Sequence, residues 1–395
     1  MSVTRRKPGP LGPYVGGYRV RLLELGYSPA SATRSLIALG HLGRWMARAE
    51  LTVDQLDRGA VTAFLADHVA DRGRLPTASV VPLLEYLRGE GVVGPEPVGP
   101  LTALDRLVGE YRQWLRVERA LAATTVHQYA DLAQRFLAAR RSPQDELGVA
   151  QLTGADVTGF LLGECARVRL GTAACYANRL RSLLRFLSLR GLADPGLAER
   201  VPSVGRWREA GIPQFPPRPQ LDLVLGSCDR SRVGGARDFA ILILLARLGL
   251  RTVEVSRLAL DDRHWRAGEI EIDGKGHERS RLPLPGDVGE AIVAYLTLRG
   301  GSHHRRVFLT VHAPTQPIEA AGVRTVVRNA CRRAGVVAAH RLRHALASEL
   351  LREGASLIDV GQVLRHKHLE STAIYAKVDL ERLREAAQPW PGLAR

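Results

Sequence analysis

Two proline- and glycine-rich stretches limit how this chain can fold. Gly91 to Pro100 reads GVVGPEPVGP, and Gly205 to Pro219 holds Pro213, Pro216, Pro217 and Pro219. Proline lacks the amide N–H that a helix needs, and its ring collides with the preceding turn, so both stretches read as extended connectors. They divide the chain into three segments: 1–95, 100–200 and 205–395. A chain of 395 residues is long enough for two or three separate cores.

The first two segments look like copies of one another. In the first, Ser31-Ala-Thr33 precedes a helical pattern ending in Arg44-Trp45. It is followed by Leu51-Thr-Val-Asp-Gln-Leu, by Val61-Thr-Ala-Phe-Leu65 and by Leu83-Leu-Glu-Tyr-Leu87. The second runs Ala123-Thr-Thr125, a helix ending in Arg135-Phe136, Val149-Ala-Gln-Leu152, Val157-Thr-Gly-Phe-Leu161 and Leu183-Leu-Arg-Phe-Leu187. Apolar residues recur at three- and four-residue steps, so each copy reads as four or five short helices. Thr33 and Thr124 are candidate N-caps. Duplication is the preferred reading; chance likeness between small helical bundles is the alternative.

The third segment is mixed. Asp238 to Leu248 reads as a strongly apolar helix stopped by Gly249. Glu269-Ile-Glu-Ile-Asp-Gly-Lys-Gly followed by Ser280-Arg-Leu-Pro-Leu alternates as a β-hairpin does, with Gly274 and Gly276 at the turn. Helices return from Ala320 onward. The expected fold class is therefore mainly α with a small β-hairpin or sheet in the third segment.

Net charge is +16, and the excess is spread over the chain. Such a basic protein suits a polyanion, nucleic acid being the commonest. Lysine occurs only at Lys7, Lys275, Lys367 and Lys377. A genomic preference for arginine explains that replacement but not the surplus of positive over negative charge. Cys165, Cys175, Cys228 and Cys331 form no CxxC pair, which argues against a zinc site or a disulfide framework. The longest apolar run, Phe239 to Ala246, is far short of the roughly 20 residues of a membrane span. A cytoplasmic protein with no membrane partner is expected.

Four clusters in the third segment carry chemistry. Arg251 lies just past a glycine break where a helix begins, so its guanidinium and nearby N–H groups can meet one anion, with Glu254 placed to orient an arginine or cap the helix. Lys275 sits between two glycines at the hairpin tip, and lysine, unlike arginine, can give up a proton. His340 and Arg343 are three apart and so share a helix face, with Leu342, Leu346, Leu350 and Leu351 as anchors. Last comes Leu364-Arg-His366 and, further on, Tyr375, with Ser356 and Asp359 forming a capping box upstream and Ser371 or Thr372 available to cap a turn that carries the tyrosine. Each cluster alone has a plain reading: surface arginine, turn lysine, basic helix face, packed tyrosine.

Together they resemble the tyrosine recombinase, or phage integrase, family. Its set of Arg, Lys, His-x-x-Arg, a second His or Trp, and Tyr is matched in order by Arg251, Lys275, His340 with Arg343, His366 and Tyr375, and the acidic position after the first arginine by Glu254. Closest over roughly the last 180 residues, the likeness implies helical core-binding-like domains (residues 100–200, with 1–95 as a duplicate or an added arm-type domain) ahead of a catalytic domain at 205–395. Arg365 departs from the pattern, because many members have glycine there.

The resemblance implies site-specific cutting and rejoining of double-stranded DNA by Tyr375, through a 3′-phosphotyrosine, by an enzyme of a mobile genetic element. Free tyrosine has a pKa near 10, so only about one in a thousand is ionised at pH 7. A cluster of arginine and protonated histidine would favour phenolate. Arg251, Arg343, His340 and His366 would bind the non-bridging oxygens, and Lys275 would protonate the leaving 5′-oxygen. The scheme calls for no metal, ATP or other cofactor. It implies a homotetramer on DNA, with the segment from Asp379 to Ala387 as a candidate docking helix, with accessory proteins as an admitted further class of partner, and with location at the bacterial nucleoid. A type IB topoisomerase and a non-catalytic DNA-binding accessory protein are the alternatives.

Overall fold

A computed structural model of the chain describes residues 9–72, 80–95, 101–142, 145–149, 151–166, 168, 170–203, 218–264, 266–274, 279–336, 342–366, 372 and 375. Much of both proline-rich connectors, the hairpin tip with Lys275, His340, Ser371 and the segment beyond Tyr375 lie outside the described residues. The chain forms two compact units. One combines Met1–Pro95 with Gly211–Arg395, and the other is Glu96–Ala210.

In the first unit, the N-terminal segment builds α1 (Val15–Glu24), α2 (Pro29–Arg48), α3 (Arg58–Arg72) and α4 (Val81–Gly89). The second unit builds α5 (Ala103–Val117), α6 (Ala123–Ala138), α7 (Gly154–Cys165) and α8 (Leu170–Leu189). The amphipathic spacing explains the burial: Leu104, Leu107, Val108, Tyr111 and Leu115 fall on one face of α5, and all are buried. Side-chain contacts repeat between the two segments. Trp45 meets Phe64 edge-on at 5.8 Å, and Phe136 meets Phe160 edge-on at 5.0 Å. Tyr18 meets Tyr86 at 5.5 Å, and Tyr111 meets Phe186 at 5.1 Å. Helices in matching order thus contribute two comparable aromatic pairs to each of two separate cores.

The expected N-caps at Thr33 and Thr124 are corrected. Ser28 caps α2, its side chain accepting from the Ser31 amide, and Thr33 lies inside the helix with its hydroxyl donating to the Pro29 carbonyl at 2.9 Å. Pro29 at the first helical position lets the helix start early, since its missing N–H would have had no helical partner there. Helix α6 likewise begins at Ala123, one residue before Thr124.

The C-terminal segment builds α9 (Arg218–Gly226), α10 (Val233–Arg247), α11 (Thr252–Arg257), β1 (Arg263–His264), β2 (Glu269–Asp273), β3 (Arg279–Pro283), α12 (Gly286–Arg299), α13 (Ala320–Arg333), α14 (Leu342–Arg352) and α15 (Leu357–Val363). Its centre is α10, apolar all round from Ala240 to Ala246 and buried on every side against α12, α13 and α14. The strands form one antiparallel sheet in chain order, with Glu271 opposite Arg281 and Ile272 opposite Ser280. Alternation puts Ile270 and Ile272 into the core, each worth roughly 1.5–3 kcal/mol on full burial. The intervening glutamates pair with arginines on β3, Glu271 taking Arg279 at 3.0 Å. The hairpin expected here is therefore present, extended by the two-residue β1.

Two breaks position the site. Helix α10 stops at Gly249, which has φ +56°. A Cβ there would come within 2.8 Å of the Leu364 side chain and 3.0 Å of Leu346, so only glycine lets this turn press against the end of α15. Helix α15 starts with the Ser356–Asp359 capping box and ends at a turn carrying Leu364, Arg365 and His366.

Candidate active site

Arg251 occupies the N-cap of α11, as its place after the glycine break suggests. Glu254, three residues on, is almost wholly buried. Its carboxylate accepts from the Arg251 amide at 2.8 Å, from Arg251 Nη1 at 2.7 Å and from Arg365 Nη2 at 2.8 Å. Burial pushes the Glu254 carboxyl up, but the amide bond and the two guanidiniums together hold it below the usual carboxylate range. Glu254 thus both caps the helix and steers the arginine, the two roles its spacing left open.

Arg343, near the start of α14, reaches back to the two breaks. Its Nη1 donates to the Gly249 carbonyl and its Nη2 to the Leu364 carbonyl. One planar fork thereby ties the turn before Arg251 to the turn before His366. Burial pushes the Arg343 pKa down to about 10, with the positive charge of Arg251 adding to the effect, so the group stays charged at neutral pH. A cavity of about 280 Å³ opens beside it, lined by Arg251, Thr252, Arg324, Arg343 and His344 among others. Three arginines line this opening beside the apolar Leu245, Leu250, Val327 and Leu342, and their charge suits an anion such as phosphate.

Tyr375 lies against this cluster. Its ring packs with Ala347, Leu351, Val360 and Leu364 and is 1% exposed. Its hydroxyl is 2.6 Å from His344 Nδ1, and its ring stacks parallel to His366 at 6.3 Å. His366 Nδ1 is 2.8 Å from the Thr372 hydroxyl. Five of the expected residues (Arg251, Glu254, Arg343, His366 and Tyr375) are therefore brought together. Lys275 and His340 lie outside the described residues.

Two expectations about charge are corrected. Burial pushes the Tyr375 phenol up from its usual value, and the nearby Arg343 only partly opposes this, so the site as it stands favours the phenol. Burial, then Arg343 and Arg251, push His366 down to about 4, so its ring is neutral at pH 7. The sequence shows the cationic neighbours but not the depth of burial, and here burial wins.

The His366 shift has a consequence for stability. The folded pKa of about 4 lies below the ordinary value of 6.5, so the neutral ring contributes fully above pH 6.5 and progressively less as pH falls toward 4. The urea-unfolding free energy of the wild type should fall between pH 7 and pH 5, and that of His366→Gln should fall less steeply. Parallel pH curves for the two proteins would refute the burial of a neutral ring.

His344 is the contact that residue-by-residue reasoning missed. It stands beside Arg343 in His340-Arg-Leu-Arg-His344, where its plain reading is another basic surface residue. Only the packing of Tyr375 onto α14 reveals its role.

Known proteins resemble this chain. The sequence profile of the phage integrase family matches residues 219–382, a stretch that includes every residue of the site. An integrase/recombinase of Sinorhizobium fredii, y4rA, is 36% identical over 100% of this chain and 98% of its own length. This chain belongs to the phage integrase family. Tyrosine recombinase XerD of Listeria monocytogenes is 28% identical over 71% of the chain and 97% of its own. Among solved structures, the XerH site-specific recombinase bound to palindromic difH substrate has a TM-score of 0.52 and 16% identity, covering 98% of both chains. A lambda integrase dimer bound to a COC′ core site has a TM-score of 0.54 and 13% identity, covering 85% of this chain and 89% of its own. These two share the fold. For this integrase-family chain the geometry accounts for one departure from the family pattern. Arg365 has φ +52°, the left-handed conformation that glycine adopts freely and that an arginine must be held in.

Proposed function

We propose that this tyrosine recombinase cuts and rejoins double-stranded DNA at specific sites, with Tyr375 as nucleophile. The observation that carries the reading is the Arg343 fork. It joins the Gly249 turn to the Leu364 turn and so gathers Arg251, His366 and Tyr375 from separate parts of the sequence. The tyrosine oxygen attacks a DNA phosphate, the 5′-oxygen of the next nucleotide leaves as the bond breaks, and a 3′-phosphotyrosine forms. Arg251 and Arg343 bind the non-bridging oxygens as negative charge builds. His366, neutral, donates a hydrogen bond through Nε2 when Nδ1 accepts from Thr372. His344 is placed to receive the phenol proton. Lys275 supplies the proton to the leaving oxygen, and His340 is a further donor. A 5′-OH of the partner strand then reverses the step, so one phosphodiester is exchanged for another without ATP or a metal.

The repeated aromatic pairs support reading residues 1–95 as a second copy of the helical DNA-gripping domain at 100–200, ahead of the catalytic domain at 205–395. The enzyme acts as a homotetramer on two sites in the bacterial cytoplasm, at the nucleoid, in the service of a mobile genetic element. Among the described residues no helix is long and apolar enough to cross a membrane.

The test is to incubate the protein with labelled DNA flanking its gene, in EDTA, denature, and look for DNA covalently held by protein. An adduct at one mapped position, with a free 5′-OH, is expected. Relaxation of any supercoiled plasmid without site preference would favour a type IB topoisomerase. Salt-sensitive binding with no adduct would favour a non-catalytic DNA-binding protein.

A further inference from the structure

We infer that Arg365 is a positioning residue of the reaction, which acts through Glu254 to hold Arg251 on the scissile phosphate. The inference rests on the site assignment above. Three observations converge on it. First, the bonds that end α15, from the Arg365 amide to the Gln362 carbonyl and from the His366 amide to the Gly361 carbonyl, fix Arg365 in a left-handed backbone, φ +52°, and so set where its side chain leaves the turn. Second, its side chain turns inward, 14% exposed, onto a carboxylate that is itself 2% exposed. Third, its own carbonyl accepts from Arg251 Nη2 at 3.2 Å. Arg365 thus holds Arg251 twice, directly through its backbone and indirectly through the shared Glu254.

The geometry divides the labour. Glu254 Oε1 takes Arg251 Nη1, while Oε2 takes the Arg251 amide and Arg365 Nη2. Without the second guanidinium, Glu254 would be a buried carboxylate with one cationic partner in direct contact, and Oε2, left with the Arg251 amide alone, would compete for the Arg251 guanidinium. The arginine would then be drawn toward Glu254 and away from the substrate. With Arg365 present, each carboxylate oxygen has a guanidinium partner, and Arg251, which lines the cavity, keeps its remaining N–H hydrogens for the substrate. The charge balance points the same way. Arg251, Arg343 and Arg365 surround the single carboxylate of Glu254, which leaves a surplus of positive charge for a phosphate as negative charge builds on it. The neighbouring residue is His366, so the turn that bears Arg365 also fixes a second member of the site.

Arg365→Gly separates these roles, because glycine suits φ +52° and preserves the carbonyl that accepts from Arg251, while it removes the Glu254 contact. Adduct formation on DNA flanking the gene is measured against pH for the wild type, Arg365→Gly, Arg365→Lys and Tyr375→Phe, with DNA affinity and thermal unfolding measured alongside. Arg365→Gly should slow adduct formation at neutral pH about tenfold to a hundredfold, the scale of a small misplacement of a catalytic group, with DNA affinity unchanged. Its acid limb should move to higher pH. Glu254 faces Arg251, Arg343 and Arg365, and losing one of these cations lets it take a proton more readily. Arg365→Lys should recover much of the rate and return the acid limb toward that of the wild type. Should Arg365→Gly fail to fold, Arg365→Gln, polar but shorter and uncharged, carries the same comparison. Wild-type rate and pH profile in Arg365→Gly, or an Arg365→Lys no faster than Arg365→Gly, overturns the inference alone, provided Tyr375→Phe forms no adduct. An adduct from Tyr375→Phe, or none from the wild type, overturns the site assignment and the inference with it.

Discussion

Replacement of Tyr375 by phenylalanine is expected to abolish the covalent protein–DNA adduct and leave DNA binding intact. The substitution removes one oxygen. The ring keeps its packing with Ala347, Leu351, Val360 and Leu364, so the core around it should hold. What is lost in the fold is the contact with His344 Nδ1 at 2.6 Å, worth about 0.5–1.5 kcal/mol as a net hydrogen bond. Stability should therefore fall little, and gel-shift affinity should stay within about twofold, since phosphate contacts elsewhere dominate binding. The chemistry has no other source for the nucleophile, so adduct in a denaturing gel should drop below detection. An adduct that persists at wild-type level in Tyr375→Phe would move the nucleophile elsewhere.

The burial of Tyr375 adds a physical requirement. At 1% exposure, and with its phenol pKa pushed up by burial, the tyrosine is poorly placed to attack anything from where it sits. Attack requires the hydroxyl to leave His344 or the phosphate to come to it. A phosphate approaching Arg251 and Arg343 would engage the cations that now depress His366 and crowd one another, so binding itself alters the electrostatics that hold the resting arrangement.

Much of this is legible in the sequence. The glycine break before Arg251, the Ser356–Asp359 box and the alternation of β2 each have a local cause, and each is found where its residues foretold. Five candidate site residues can be named because their order along the chain resembles that of the family's set. Three things could not be read. The start of α2 is not where Thr33 suggests, because a proline at the first helical turn outweighs a later threonine as a start signal. The ionisation of His366 and Tyr375 was misjudged because burial depends on contacts between distant segments. The contacts of His344 and Arg365 are not visible in the sequence, because in so basic a chain His344 looks like any other basic residue, and Arg365, a departure from the family pattern, gives no sign there of its tie to Glu254. Only their partners, Tyr375 and Glu254, distinguish them.

Arg343→Ala is expected to have the second large effect, and of a different kind, because it should damage both rate and fold. Arg343 makes two charge-assisted bonds to main-chain carbonyls, those of Gly249 and Leu364, and these hold the Arg251 turn and the His366 turn side by side. Each such bond to a charged donor contributes about 1.5–3 kcal/mol. Water entering the truncated site would recover part of that, so a loss of roughly 2 kcal/mol in urea unfolding is expected. The loss in rate should be larger. Removing one preorganised donor to a developing negative charge costs about a hundredfold to a thousandfold, and here the two turns that carry the remaining groups would also be released. Arg343→Lys distinguishes these contributions. Lysine keeps the charge but offers a single ammonium that cannot span both carbonyls at once. It should therefore recover part of the stability and much less of the rate. If Arg343→Lys forms adduct as fast as the wild type, the charge alone suffices and the fork is incidental. If Arg343→Ala is as stable as the wild type yet inactive, the bonds to Gly249 and Leu364 contribute nothing to the fold, and Arg343 serves only the phosphate.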